Sequence, residues 1–195
     1  MTSETARIEA FSDGVFAIAI TLLVLELKVP FDGPLSVALR RQWPSYIAFL
    51  LSFTFIGIMW VNHHRLFTQI RRADDGLLFL NLLLLLGVTV VPFPTSVLAR
   101  HLGTVEGRTA AAVFNGTYVV IAIFFNVLWR YAIARRLLHE VESYSVQAIA
   151  RQYAVGPLLY LTCFLLSWWS VPFSLLLNLG LAIFFALPAR LVARR

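Results

Sequence analysis

The 195-residue chain is 59% hydrophobic and 13% charged, against roughly a quarter charged in soluble domains, and its mean hydropathy is +0.80. One soluble core cannot hide that much apolar surface, so the composition excludes an ordinary soluble domain and points to an integral membrane protein. A net charge of +6 raises nucleic acid as a partner, but the basic residues lie mostly between apolar runs, where they read as a topology signal rather than a nucleic-acid surface.

Six apolar segments follow one another, at about 11–29, 45–66, 77–98, 110–131, 153–170 and 172–189, each long enough to cross a hydrocarbon core about 30 Å thick. They predict a single all-α transmembrane domain spanning 1–195. The first segment sits in RIEAFSDGVFAIAITLLVLEL (7–27), which carries Arg7, Glu9, Ser12, Asp13 and Glu26. Glu4 and Glu9 spoil a basic leader region and no small-residue cleavage site follows, so this segment is expected to stay in the mature protein. FDGP (31–34) reads as a tight turn beyond it.

The second segment ends in WVNHHRLF (60–67). RRADDG (71–76) opens the third with acidic residues near its N-terminus, and PFPTS (92–96) bends or ends it. Trp129 near the end of the fourth, and Trp168–Trp169 at the end of the fifth, read as interfacial anchors; His101 and His139 read as ordinary residues at the membrane edge. The single cysteine, Cys163, lies inside the fifth segment and reads as a buried, inert thiol. Between the fifth and sixth, Ser170, Val171 and Pro172 leave two arrangements open, two short helices or one long broken one.

Counting Lys and Arg on alternate sides gives eleven with the termini and five opposite, which predicts both termini in the cytoplasm. That orientation brings Ser12 and Asp13, one turn into the first helix, to the depth of Trp60, Asn62, His63 and His64 in the last turns of the second and of Asn81 early in the third. A polar layer at this level satisfies side chains that lipid would leave unpaired. On a wheel of about 100° per residue, Leu22 and Leu25 fall within about 40° of Ile18, whereas Ser12 and Asp13 fall more than about 100° away. If Asp13 faces protein, the Ile18/Leu22/Leu25 stripe faces lipid, a neighbouring subunit or a pore.

Arg7, Phe11, Ser12 and Asp13 form R-x-x-x-F-S-D at the start of a first spanning helix. Together with WVNHHRLF and PFPTS, this motif resembles the prokaryotic branch of the transmembrane protein 175 family, potassium channels whose animal members work in endosomes and lysosomes. F-S-D occurs once, so one six-helix repeat is present. The resemblance implies a homotetramer with the first helix of each subunit lining a central pore, and the protein is expected in the cell membrane. It implies a constriction at Ile18, further apolar layers at Leu22 and Leu25, and a hydroxyl at Thr21 that bears on selectivity. It also gives Arg7, Phe11, Ser12 and Asp13 a network within the subunit that reaches Trp60 and a second-helix histidine, either His63 or His64. The implied permeant ion is K⁺, with H⁺ as a further one, and no cofactor is implied.

The chain lacks TVGYG, so selectivity is expected at a side-chain constriction instead of a carbonyl filter. Asp13 carries a second reading as an ion or proton site, as intramembrane carboxylates often are, and Glu26 reads either as a paired group near Lys28 or Arg40 or as part of an outer vestibule. Two rival classes stand beside the channel. A secondary transporter calls for repeats or broken helices with midplane polar sites, and a membrane metalloenzyme built on His63, His64 and Asp13 calls for three or four converging ligands.

Overall fold

The computed structural model describes residues 5–28, 33–139 and 143–186, the side chains of 143–146 and 148 aside. Eight α-helices are described: α1 (Ala6–Leu22), α2 (Leu35–Arg41), α3 (Trp43–Phe67), α4 (Asp75–Val90), α5 (Pro92–His101), α6 (Gly107–Ala134), α7 (Ser143–Trp169) and α8 (Val171–Ala186). A 3-10 turn, Leu23–Glu26, prolongs α1. The only β pairing among the described residues is an isolated bridge between Ile70 and Leu138.

Among the described residues, five stretches of helix are long and apolar enough to cross a membrane: Ala6–Glu26, Trp43–Phe67, Asp75–His101, Gly107–Ala134 and Ile149–Trp169. The sixth expected segment corresponds to α8, whose 16 described residues fall short of that length; the end of the expected range, 187–189, lies outside the described residues. Helices begin earlier than their apolar runs because polar first turns, such as Arg7–Glu9 and Gly107–Thr109, are helical as well. The break between α7 and α8 falls at Ser170.

PFPTS does not end the third span. Pro92 has no N–H to give the preceding turn, so α4 stops at Val90 and α5 restarts with proline at its first position. Thr95 repairs the joint by donating both its N–H (3.2 Å) and its hydroxyl (2.7 Å) to the Val91 carbonyl. α2, a seven-residue helix with no buried residue, has no counterpart among the apolar segments.

α6 is the hub. It lies along α7 and also touches α4, α5 and α8, and it buries twelve residues, among them Phe114, Asn115, Tyr118, Phe125 and Trp129. Trp129 therefore is not an interfacial anchor: it is 1% exposed, edge-on to Tyr153 at 6.3 Å between ring centroids. Trp168 and Trp169 are exposed, and Cys163 is buried. A buried polar knot closes α6 onto α7 and α8: Asn115 Nδ2 donates to the Cys163 carbonyl (3.1 Å) and to Ser167 Oγ (2.6 Å), and Asn178 Nδ2 donates to Asn115 Oδ1. In hydrocarbon such groups have no water to fall back on, so they pin helix rotation.

The start of α4 is fastened to the end of α6 by Asp74. Its Oδ1 caps α4 by accepting from the Leu77 N–H (2.9 Å), and its Oδ2 accepts from the Tyr131 hydroxyl (3.0 Å) and from Arg135 Nε (3.4 Å). Gly76 makes the approach possible, because a Cβ there would collide with the Tyr131 hydroxyl. Alongside, the chain from Gln69 to Arg71 pairs with 137–139 through Arg71 N–H to the Leu137 carbonyl (2.8 Å) and His139 N–H to the Gln69 carbonyl (2.9 Å).

The Leu77 N–H, followed by Tyr131 and Arg135, holds the Asp74 carboxyl below the usual carboxylate range against some opposing burial. A lowered carboxylate stabilises the fold above its ordinary pKa and loses that contribution as pH falls through the folded value. Replacing Asp74 by Ala is expected to cost about 1 kcal/mol from the cap. Thermal unfolding in detergent should show a lower Tm at neutral pH, with the gap from wild type closing as the pH drops below about 4.

Candidate functional site

The packed face of α1 is set by Ser12, Phe16, Ala19 and the following Leu23, all buried. Their spacing of i, i+4, i+7 and i+11 keeps one side of the helix against the protein. The opposite side is bare: Ile18 is 62% exposed, Leu22 40% and Leu25 65%. Thr21 is exposed beside them and folds its hydroxyl back onto the Ile18 carbonyl at 2.9 Å. The wheel thus divides the helix, with the apolar stripe left largely exposed in the described structure.

Ser12 starts a directed run of hydrogen bonds. Its hydroxyl donates to the Ile8 carbonyl (2.8 Å), so its oxygen is left to accept from Asn81 Nδ2 (3.1 Å). Asn81 Oδ1 then faces His63 Nε2 at 3.0 Å. An amide oxygen only accepts, so Nε2 must carry the proton. His63 is 1% exposed and held between two rings, Phe67 stacked at 4.4 Å and Phe16 edge-on at 5.4 Å. This run ties α1 to both α3 and α4 at the level where sequence depth places Ser12, His63 and Asn81.

Asp13 takes a different position from its neighbour. It is exposed on the flank of α1 and accepts a 2.8 Å hydrogen bond from the Trp60 indole N–H. Trp60 in turn stacks on His64 at 6.3 Å, and His64 is exposed. The two histidines therefore separate: His63 points inward to Asn81, while His64 turns out with Trp60.

Arg7 and Phe11 do not join either arrangement within the chain. Both are exposed and border an open depression with Ile8, Ala73, Leu78, Asn81 and Leu82. The reason is angular: Arg7 and Phe11 lie eleven and seven residues before Ile18, which at about 100° per residue returns them to within about 20° of its direction. They continue the bare stripe toward the N-terminus. Adjacency in the motif thus splits over three directions, with Ser12 inward, Asp13 on the flank and Arg7 with Phe11 outward.

Phe16, Phe67 and Asn81 complete the His63 surroundings; depth in the sequence points to Asn81 alone. Glu26 is half-buried at the end of the 3-10 turn. Among the described residues no three His, Cys, Asp or Glu side chains gather as a metal site.

A family model described as the endosomal/lysosomal potassium channel TMEM175 matches residues 7–92. Over 192 residues the chain is 51% identical to a potassium channel of Chamaesiphon minutus, covering 95% of each, and over 189 residues it is 44% identical to a potassium channel of Streptomyces collinus, covering 94% of this chain and 92% of that one. The mouse endosomal/lysosomal proton channel TMEM175 is 36% identical over 154 residues, 70% of this chain but 29% of the mouse protein. The crystal structure of a lysosomal potassium-selective channel TMEM175 homolog from Chamaesiphon minutus superimposes with a TM-score of 0.88 over 95% of this chain and 98% of that one.

Removing the middle of the hydrogen-bonded run leaves buried groups unpaired on both sides. Asn81→Ala is expected to destabilise by about 2 kcal/mol, within the range for stranded buried polar partners, whereas His64→Ala should change stability by under about 0.5 kcal/mol. Thermal unfolding of the two variants in the same detergent measures the contrast.

Proposed function

Because the chain belongs to the TMEM175 potassium-channel family, we propose that it is a potassium-selective cation channel whose pore is lined by α1 from each of four identical subunits. The observation that carries this reading is the bare row Ile18, Leu22 and Leu25 on a helix whose other face is wholly committed to its own chain. A helix fastened by Ser12 on one side and uncovered on the other suits a position around a shared axis. The naming of its bacterial relatives as potassium channels supports the choice of ion.

Four copies of Ile18 make the narrowest ring, with Leu22 and Leu25 as wider apolar layers and Thr21 at the edge of the stripe. An apolar ring of this kind closes by losing its water and opens when the helices tilt or turn apart. An ion that passes it sheds part of its hydration shell, and K⁺ gives up water more readily than Na⁺. Selection by partial dehydration favours K⁺, Rb⁺ and Cs⁺ and is weaker than that of a carbonyl filter. The mouse relative is described as a proton channel, which supports H⁺ as a second permeant species.

The protein sits in the cell membrane with six spans per subunit, α8 completing the set, and with both termini on the cytoplasmic side where the Arg-rich connections lie. Ser12, Asp13, Trp60 and His63 hold the pore helix at its cytoplasmic end. Arg7 and Phe11, on the pore side of the helix, meet the neighbouring subunit or the inner vestibule.

Purified protein in liposomes is expected to pass K⁺ in preference to Na⁺ and to run as four copies in detergent. Ile18→Asn, which wets the ring, should raise K⁺ flux severalfold and narrow the K⁺ over Na⁺ preference; parallel flux assays with K⁺, Na⁺ and H⁺ measure both. Absence of conductance in well-folded tetramers would overturn the reading.

A further inference from the structure

The chain gathers arginines where the end of α3 and the start of α4 meet the end of α6. α3 ends at Phe67, α4 starts at Asp75 and α6 ends at Ala134, and the strap after α3 is laid against the strap after α6 by the bridge between Ile70 and Leu138. Ile70 and Leu137 are buried, so the pairing has an apolar footing. The N–H groups of Arg71 (2.8 Å) and Arg72 (3.3 Å) both donate to the carbonyl of Leu137, the residue that follows Arg136. Two arginine pairs far apart in sequence, Arg71 with Arg72 and Arg135 with Arg136, are thereby brought together on the backbone, all four exposed.

Arg136 stands where glycine is the usual residue. α6 closes with the Leu137 N–H on the Ala132 carbonyl (3.0 Å) and the Arg136 N–H on the Ile133 carbonyl (3.0 Å), a helix end that calls for a left-handed residue. Arg136 adopts that conformation, with φ of 56°, and no other non-glycine residue among those described has a positive φ. An L side chain is strained there, and an exposed one recovers nothing through burial.

The carboxylates nearby do not neutralise the four. Asp74 takes Arg135 through Nε alone, at 3.4 Å, and its other bonds go to the Leu77 N–H and the Tyr131 hydroxyl. Among the described residues Arg71, Arg72 and Arg136 form no ion pair, and neither does the exposed Asp75. Arg65, at the end of α3, is spent differently, its Nη2 donating to the Ala186 carbonyl at 3.2 Å.

We propose that this double pair of arginines is a binding site for the phosphate of an anionic lipid headgroup. A guanidinium is a planar fork that matches phosphate oxygens two at a time. The spans Trp43–Phe67, Asp75–His101 and Gly107–Ala134 each have one end at this clasp, which puts the arginines at headgroup depth, within reach of a phosphate that the bilayer itself supplies. A headgroup held across both pairs ties the strap after α3 to the strap after α6, beside the Asp74 clasp. Binding does not depend on ion conduction and is read without it.

The full chain in an uncharged detergent is titrated with dihexanoyl phosphatidylglycerol, with dihexanoyl phosphatidylcholine, whose headgroup has no net charge, and with inorganic phosphate, thermal unfolding being the readout. Phosphatidylglycerol is expected to raise Tm saturably, as binding to the folded state requires, and the other two to leave it unchanged. Arg72→Gln and Arg136→Gly should each raise the midpoint concentration about fivefold, the scale of one arginine at an anionic surface. Arg108→Gln, which removes the same charge from the opposite end of α6, should leave it unchanged. Arg136→Gly should also raise the Tm of the lipid-free protein, since glycine takes the left-handed conformation without strain. A gain in stability coupled to a loss of binding is not what a purely structural arginine gives. No rise with phosphatidylglycerol, or an equal rise with phosphatidylcholine, overturns the site; an equal rise with inorganic phosphate overturns the lipid as its source. Unchanged midpoints in Arg72→Gln and Arg136→Gly, or an equal loss in Arg108→Gln, overturn the assignment to these arginines.

Discussion

The placement of α1 rests on one hydrogen-bonded run, from His63 through Asn81 to Ser12, that crosses three helices inside an apolar bundle. In water each of these side chains would find solvent at any helix rotation. In hydrocarbon each finds a partner only at one rotation and one depth, so a few bonds of ordinary strength become a strict geometric condition. The condition fixes which side of α1 packs inward, and by subtraction which side does not. The Asn115, Ser167 and Asn178 knot plays the same part for α6, α7 and α8. Two polar clusters thus set the angles, and the large apolar surface between them supplies the contact.

This division explains how a helix so rich in Leu, Ile and Val keeps a free face. In lipid, van der Waals packing alone would let any apolar side of α1 face the core with similar gain. Ser12 removes that freedom, and Ile18, Leu22 and Leu25 remain uncovered in the single chain. The bacterial potassium channels to which the chain is 51% and 44% identical match it over almost its whole length.

Hydropathy was enough to read the spans, because length and apolar content are all that a bilayer demands of a segment. It located the spans whose helices are long enough and the shorter α8, but it placed helix starts late, since polar first turns carry no apolar signal. α2 escaped because seven residues with no buried side chain leave no periodic trace. At the site, depth and wheel angle brought Ser12, His63 and Asn81 to one level and set Ile18 on the far side. The four motif residues do not share one direction: Arg7 and Phe11 share that of Ile18, not of Ser12. The choice between His63 and His64 needed the position of α4, which no pattern within α3 contains. Trp129 is a similar case, since a tryptophan near a helix end reads as an anchor until a neighbour such as Tyr153 covers it.

Asp74 has a consequence for the order in which the molecule is made. One of its oxygens is satisfied at once by Leu77, three residues on, but the other waits for Tyr131 and Arg135, which leave the ribosome some sixty residues later. Through the synthesis of α4, α5 and most of α6 the carboxylate caps its own helix with half its bonding capacity idle. The arrival of Tyr131 then closes a long loop whose ends are already held near one membrane surface, so the entropy of closure is smaller than the same loop would cost in free solution. The Asp74 to Tyr131 clasp therefore forms only once the end of α6 lies beside the start of α4.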